Sequence, residues 1–120
     1  MSREILPEDK IHPAIRDRIT NHFRETVAEV QQAVENNELV VVGMAQNPFP
    51  KKARKSLDER GIQYRYLEYG SYTSSIKTWR RRNALKMWTG WPTFPMVFHK
   101  GVLVGGADDL ARLLKSGELD

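Results

Sequence analysis

Apolar residues recur every three or four positions along the first third of the chain. They are Ile15, Ile19, Phe23, Val27, Val30 and Val34. This spacing places them on one face of a helix, and Pro13 suits the first turn because a helix leaves that N–H unpaired in any case. The pattern predicts one amphipathic helix from Pro13 to about Asn36. The preceding residues are polar and are broken by Pro7, which predicts a loose tail.

Four later segments have the patterns of β-strands. Leu39 to about Gly43 is a continuous apolar run, typical of a strand that is buried on both faces. Ile62–Tyr69 alternates and is rich in aromatic residues, which favours a second strand. Met96–His99 and Val102–Val104 are separated by Lys100–Gly101 alone, so they are predicted to form an antiparallel hairpin.

Helical patterns separate and follow these strands. One helix is predicted from Lys51 to about Arg60, where Gly61 ends it. Another runs from Ser75 to Trp88, with Ser74 as its candidate N-cap. Its apolar positions, which include two tryptophans predicted to pack in the core, are Ile76, Trp79, Leu85 and Trp88. A last helix follows Gly105–Gly106, and its apolar stripe consists of Leu110, Leu113 and Leu114.

The order of these elements is helix, then β-α-β, then α-β-β-α. A β-α-β unit requires a right-handed crossover and a parallel pair of strands, and the hairpin adds antiparallel strands. The predicted fold is therefore an α/β domain with a four-stranded mixed sheet and helices on both faces. In this interpretation residues 1–37 form an N-terminal tail and helix, and residues 38–120 form the domain.

The composition limits the chemistry that the chain can carry. Its 120 residues suffice for one domain with a core, and no apolar run approaches the ~20 residues that span a bilayer. The absence of cysteine excludes disulfides and thiolate-bound metals within this chain. The three histidines are widely separated, so no metal site is predicted. Met1–Glu4 lacks the apolar stretch of a signal peptide, and the expected location is cytoplasmic.

The formal net charge is +4, and the basic residues are clustered. One cluster contains Lys51, Lys52, Arg54 and Lys55, and the other contains Lys77, Arg80, Arg81, Arg82 and Lys86. Two interpretations remain open: solvated helix faces, or an anion site for a carboxylate, a phosphate or an acidic partner. Nucleic acid is not an expected partner because no aromatic-interleaved motif accompanies the charge.

Several motifs in the last two thirds of the chain resemble those of glutaredoxins. The run Arg82–Pro95 is a basic helix that ends in W-P-T-F-P, which is similar to monothiol glutaredoxins. Gly105–Asp109 and Ser116–Leu119 resemble the family's G-G-C-D-D and S-G-E-L. The resemblance spans about Leu39 to Glu118. It implies a thioredoxin-like fold, to which this chain adds an extra N-terminal helix, and a groove for glutathione.

The resemblance also implies which residues form that groove. The family's Thr-x-Pro motif contains a cis proline, and the backbone of the preceding residue pairs with the cysteinyl backbone of glutathione as an added strand would. A basic residue on the helix holds the glycyl carboxylate, and the start of the last helix meets the γ-glutamyl group. The implied residues are Arg82, Thr93, Phe94, Pro95, Gly106, Ala107 and Asp108. The implied ligand is glutathione, or a glutathionylated or extended peptide, and no covalently bound cofactor is expected.

The chain departs from the family where the redox chemistry lies. Asn47 and Pro50 occupy the positions of the two cysteines in the dithiol motif C-P-Y-C. Met44 or Ala45 replaces the lysine that precedes this motif, and Ala107 replaces a later cysteine. Thiol–disulfide exchange requires a thiolate, so these departures predict a groove without oxidoreductase turnover.

Three functions are compatible with these observations. The favoured one is a glutaredoxin-like protein that is redox-inactive and keeps the groove for binding. A second is a disulfide oxidoreductase or electron-transfer protein that uses the thiols of a partner. A third is a protein-interaction module in which the N-terminal helix packs against the domain or against a second copy.

Overall fold

The computed structural model describes residues 3–119 and confirms the predicted four-stranded mixed sheet. Its strands are β1 (Leu39–Gly43), β2 (Arg65–Glu68), β3 (Met96–His99) and β4 (Val102–Gly105), in the order β2-β1-β3-β4. The helices are α1 (Pro13–Thr20), α2 (Arg24–Asn36), α3 (Pro48–Glu59), α4 (Ile76–Thr89) and α5 (Ala107–Ser116). Met1 and Ser2 of the predicted tail and Asp120 of the predicted domain lie outside the described residues. None of the helices in residues 3–119 is long and apolar enough to cross a membrane.

Strand β1 lies at the centre of the sheet and supplies both layers of the core. It pairs in parallel with β2 and antiparallel with β3. Val40 and Val42 pack in the cluster that α2 and α4 cover, whereas Val41 packs in the cluster under α3 and α5. Because successive side chains of a strand point to opposite faces, a strand covered on both sides needs an apolar residue at every position. This explains the continuous apolar run.

The single N-terminal helix predicted from Pro13 to Asn36 is wrong, because the chain forms two helices. Phe23 has a left-handed backbone (φ 47°) and interrupts the helix between α1 and α2. Asn21 precedes it, and asparagine favours helix ends over helix interiors. The two parts also differ in packing, since Val30 of α2 is buried in the core and α1 has no buried residue. Because none of its residues is buried, the apolar stripe of α1 does not keep the two parts in line.

Several other predicted bounds are corrected by the structure. Helix α3 begins at Pro48 rather than Lys51 because Asn47 is its N-cap. Strand β2 is shorter than the predicted Ile62–Tyr69. Ser75, not Ser74, caps α4, and the Ser74 hydroxyl instead accepts a hydrogen bond from the N–H of Ser71 at 2.7 Å.

The apolar pattern of α4 was only partly a guide to burial. Leu85 is fully buried and Trp88 is half-buried, with its ring stacked on Phe98 at 6.1 Å between centroids. Ile76 and Trp79 lie in the first turn and are exposed, Trp79 to 54%. The prediction that Trp79 packs in the core is therefore wrong, because its side chain stays in solvent although its spacing matches that of Leu85 and Trp88.

Tyr69, just after β2, connects three elements through three hydrogen bonds. Its N–H donates to the carbonyl of Gly43 at 2.9 Å, and its carbonyl accepts from Nη1 of Arg82 at 2.8 Å. Its hydroxyl donates to the carboxylate of Glu29 on α2. Burial raises the pKa of the Tyr69 phenol, and the hydrogen bond to Glu29 raises it further.

Replacing Tyr69 by Phe tests whether this hydroxyl holds α2 on the sheet. A hydrogen bond to a charged acceptor contributes about 1.5–3 kcal/mol, so Tyr69→Phe should lower the free energy of unfolding by about 1.5 kcal/mol in urea titrations at neutral pH. Tyr72→Phe is the matched control, since that side chain is 65% exposed and should lose less than about 0.5 kcal/mol. Equal losses in the two variants would contradict the role given to Tyr69.

Candidate functional site

The Asn47–Pro50 segment lies at the N-terminus of α3. Asn47 is the N-cap, and its side-chain oxygen accepts a hydrogen bond from the N–H of Phe49 at 3.0 Å. Pro48 follows at the first helical position, and Pro50 is buried two residues later. The residue at the position of the nucleophilic cysteine therefore serves to cap the helix.

This helix end offers no free N–H group to an anion in its first three positions. Pro48 and Pro50 have no N–H, and the N–H of Phe49 is already paired with Asn47. Helix N-termini bind anions mainly through such N–H groups. The terminus that would stabilise a thiolate at position 47 is thus closed by its own residues.

Thr93, Phe94 and Pro95 form the segment that leads into β3. The Phe94–Pro95 bond is cis, which confirms the prediction from the Thr-x-Pro motif. Phe94 as a whole residue is 4% exposed, and its side chain packs in the core under α4, with Nζ of Lys86 5.7 Å from the ring centroid. Among residues 3–119, neither the N–H nor the C=O of Phe94 has a hydrogen-bond partner. An added strand pairs through backbone groups of this kind.

The start of α5 lies beside this segment. A Cβ atom built on Gly106 would be 3.6 Å from the carbonyl oxygen of Pro95 and 3.6 Å from Nε1 of Trp91, so the three residues are neighbours. Ala107 is buried, whereas Asp108 is exposed and forms an ion pair with Lys52 of α3 at 3.5 Å. The structure thus brings together the predicted residues of the β3 and α5 segments.

Asp109 closes the first turn of α5. Its Oδ2 accepts a hydrogen bond from the N–H of Gly106 at 3.0 Å, and its Oδ1 lies 2.6 Å from the guanidinium of Arg112. The Gly106 N–H, followed by Arg112, holds the pKa of the Asp109 carboxyl below its ordinary value. Of the two acidic residues at the start of α5, Asp109 is therefore the one that caps the helix. The sequence signal for this cap is the three-residue spacing from Gly106 to an acidic residue, which is the spacing of a capping box.

A cavity of about 390 Å³ lies at the N-terminus of α3. It is lined by Met44, Ala45, Gln46, Asn47, Pro48, Lys51, Arg54, Tyr66 and Glu68, none of which is a predicted glutathione-binding residue. The guanidinium of Arg54 lies over the ring of Tyr66, 3.9 Å from its centroid. Burial and a hydrogen bond to Glu68 raise the pKa of Tyr66 to about 12, so its hydroxyl is a donor at neutral pH.

The family of the chain follows from comparison with known proteins. The family model for glutaredoxin matches residues 39–104, more than half of the chain. The chain belongs to the glutaredoxin family. A glutaredoxin-like protein of Dictyostelium discoideum is 47% identical over 105 residues, which cover 88% of this chain and 83% of that relative. This match includes most of the region before β1 as well as the domain.

Two further comparisons, one of sequence and one of structure, also match glutaredoxins. Mitochondrial monothiol glutaredoxin-S15 of Arabidopsis thaliana is 30% identical over 117 residues, which cover 98% of this chain and 64% of that protein. The crystal structure of a buckwheat glutaredoxin–glutathione complex matches with a TM-score of 0.70 and 27% identity, over 82% of this chain and 87% of that one. The predicted thioredoxin-like glutaredoxin fold is therefore confirmed.

Arg82 is placed differently from what the glutaredoxin resemblance implies. It is 6% exposed, and its Nη1 donates to the carbonyl of Tyr69. It faces the protein's own backbone, not an open groove, because its position on α4 points under the loop that follows β2. A ligand carboxylate can reach only the part of the guanidinium that this contact leaves uncovered.

Sequence reasoning missed two polar residues of this site. Lys52 pairs with Asp108, and it was grouped only with a basic cluster. Nε1 of Trp91 is buried without a partner among residues 3–119, beside Gly106. No feature of the sequence indicates that Lys52 pairs with Asp108 or that Nε1 of Trp91 lies beside Gly106. Within the same residues, no group of three His, Asp or Glu side chains is placed to hold a metal ion.

The cap formed by Asp109 has a testable pH dependence. The pKa of the Asp109 carboxyl is lower in the folded protein than in the unfolded chain, where it is near 3.8. The ionised carboxylate therefore stabilises the folded protein at any pH above 3.8. This stabilisation is lost as the pH falls through the pKa of the folded protein. Asp109→Asn should therefore be less stable than the wild type at pH 7. The difference in unfolding free energy should shrink as the pH is lowered below 3.8, and urea titrations from pH 7 to pH 2 would measure it.

Asp108→Asn is the control for this experiment. Its ion pair with Lys52 is exposed, and such pairs contribute about 0–1 kcal/mol, so the loss of stability should be small. A wild-type advantage over Asp109→Asn that stayed constant down to pH 2 would show that the carboxylate charge is not what stabilises the cap.

Proposed function

We propose that this glutaredoxin-family chain binds glutathione, or an extended peptide that carries it, and does not itself catalyse thiol–disulfide exchange. The observation that carries the proposal is the unpaired backbone of Phe94 beside the start of α5. A peptide ligand can add to such an edge as a strand does, through main-chain hydrogen bonds. The buckwheat relative, whose structure contains glutathione, supports the choice of ligand.

The charges at the start of α5 suit the γ-glutamyl end of glutathione. Asp108 is exposed, and its Lys52 partner is also exposed, so a ligand ammonium can replace this contact at little cost. The N–H groups of Ala107 and Asp108 lie in the first turn of α5, where a helix favours a carboxylate. The N-terminus of α5 thus offers two contacts to the glutamyl group of the ligand. The Asp108 carboxylate suits its ammonium, and the backbone N–H groups suit its carboxylate.

The absence of turnover is supported by the sequence and by the α3 N-terminus. The chain has no cysteine, so no residue can form the mixed disulfide on which the family's reaction depends. Asn47 fills the vacant position as a helix cap. The location that we propose for this function is the cytoplasm, as the sequence suggested.

A protein-interaction module is the second candidate function. It is favoured by α1, which has no buried residue and exposes Ile19 to 48%. A calorimetric titration with reduced glutathione separates the two functions, because only the first requires saturable binding of the tripeptide. Oxidoreductase activity with thiols from a partner has no contact in the structure that favours it.

Asp108→Asn should weaken glutathione binding selectively. If the carboxylate meets the γ-glutamyl ammonium, the dissociation constant measured by calorimetry should rise about five-fold, the upper range for an exposed charge pair. An analogue in which a glutaryl group replaces the γ-glutamyl group lacks the ammonium. Its affinity should be the same for the wild type and for Asp108→Asn.

Asp17→Asn is the control for net charge, because Asp17 lies on α1, away from the α5 start. It should leave the affinity for glutathione unchanged. Equal weakening of glutathione and of the glutaryl analogue would contradict the role given to Asp108. No saturable binding of glutathione to the wild type would contradict the proposed function itself.

Restoring a thiol at position 47 tests why the site is inactive. Asn47→Cys should give only slow reduction of a mixed glutathione disulfide, because a single N–H, that of Phe49, remains to stabilise the thiolate. Asn47→Cys combined with Pro50→Ala restores the N–H of the third helical position. The introduced thiol should then have a lower pKa, measured by thiolate absorbance against pH, and react faster at pH 7.

The wild type and the single variant Pro50→Ala are the controls, and neither should show turnover above buffer. An equal thiol pKa in the two cysteine variants would show that the missing N–H is not what limits the site. Turnover by the wild type would refute the inactive assignment.

A further inference from the structure

A second cavity, of about 500 Å³, lies between the break in the N-terminal region and α4. We call it the α2–α4 cavity. Its lining residues are Asn21, Phe23, Arg24, Glu25, Thr26, Ala28, Lys77 and Arg81. None of them is predicted or proposed to contact glutathione. The cavity exists because Phe23 turns the chain between α1 and α2, which the sequence pattern did not predict.

The cavity has a surplus of positive charge. Arg24, Lys77 and Arg81 line it together with a single carboxylate, that of Glu25. Within residues 3–119, none of the three cations has a carboxylate oxygen within 4.0 Å. Nε of Arg81 is also buried without a hydrogen-bond partner. Cations from two separate helices therefore converge on one space, and none of them forms a salt bridge with the described residues.

The backbone adds a donor to the same space. Helix α2 begins at Arg24, and its N-cap, Phe23, offers no side-chain hydrogen bond. The N–H groups of Arg24 and Thr26 are paired with the carbonyls of Asn21 and Phe23 at 3.2 and 3.0 Å. The N–H of Glu25 has no partner in the described chain. It lies at the positive end of a helix of 13 residues.

We propose that the α2–α4 cavity binds a small molecule that carries a phosphate monoester on an apolar group. A phosphate monoester has a charge of about −1.5 to −2 at pH 7, which matches three cations and one carboxylate better than a single carboxylate does. The volume exceeds the need of a phosphate alone, since one water occupies about 30 Å³. The ring of Phe23 and the methyl group of Ala28 provide an apolar wall for the remainder.

Phenyl phosphate is the probe for this proposal, followed by amide NMR of the ¹⁵N-labelled full chain at low salt. The N–H signal of Glu25 should shift and saturate. Inorganic phosphate should bind more weakly because it does not contact Phe23, and phenylacetate should bind more weakly because it carries one charge. Added salt should weaken the binding of every anion.

Substitutions at three exposed charged residues distinguish a specific phosphate site from general electrostatic attraction to the basic helix. Lys77→Ala should raise the dissociation constant of phenyl phosphate about five-fold, the upper range for an exposed charge pair. Glu25→Gln should lower it about three-fold because it removes the only carboxylate from the lining. Arg80→Ala is the matched control, since Arg80 lies on the same helix but does not line the cavity, and it should change the constant less than two-fold.

The expected pattern is a loss for Lys77→Ala, a gain for Glu25→Gln and no change for Arg80→Ala. Equal losses for Lys77→Ala and Arg80→Ala would overturn the proposal in favour of attraction to the basic helix. A Glu25 signal that does not saturate with phenyl phosphate, or a Glu25→Gln variant that binds no better than the wild type, would also overturn it. The glutathione groove is not involved in any of these measurements.

Discussion

The hydrogen bonds at Tyr69 and Gly70 hold the site in place relative to the sheet. Tyr69 joins β1 through Gly43, α4 through Arg82 and α2 through Glu29. The carbonyl of Gly70 accepts from the N–H of Ala45 at 2.7 Å, in the loop that precedes Asn47. The loop before α3 and the helices on the opposite face are therefore fixed by two consecutive residues.

Gly70 shows how tightly this corner is packed. It has a left-handed backbone (φ 67°), and a Cβ atom there would lie 2.3 Å from Cγ2 of Thr78 and 3.0 Å from Nη1 of Arg82. A side chain there would have to displace the side chains of Thr78 and Arg82. The guanidinium of Arg82 consequently belongs to the framework of the fold, and a loss of ligand affinity in an Arg82 variant would combine a loss of structure with any loss of contact. This is why the carboxylate of Asp108, which is exposed, is the sharper probe of the groove.

The sequence allowed the sheet to be predicted because each strand carries a local signal. Strand β1 is apolar throughout, and the hairpin is joined by two residues. The break at Phe23 could not be predicted in this way, because Ile19, Phe23 and Val27 keep the helical spacing across it. What decides the break is that α2 finds a partner in the core and α1 does not, and this is a tertiary property. Trp79 follows the same rule, since its spacing predicted burial but its side chain is exposed.

The backbone geometry of the candidate site could be predicted from the sequence, whereas the contacts of its charged side chains could not. The cis bond before Pro95 and the helix that begins after Gly106 follow from motifs with fixed geometry. The contacts of Arg82 and Lys52 depend on which way long side chains turn on a helix. Several rotamers of such side chains are compatible with one sequence position, so the choice is made by neighbours far along the chain.

The N-termini of α3 and α2 differ in whether their backbone N–H groups are free to bind an anion. At α3, two prolines and the side chain of Asn47 leave no N–H free in the first turn, although this is the end at which glutaredoxin chemistry needs an anion to be stabilised. At α2, the N–H of Glu25 is unpaired and three cations lie around it. A helix terminus binds an anion through donors that are free, so the α2 terminus is better suited to an anion than the α3 terminus is. The residue that removes the N–H of the third helical position of α3 is Pro50, and it is present whatever residue stands at position 47.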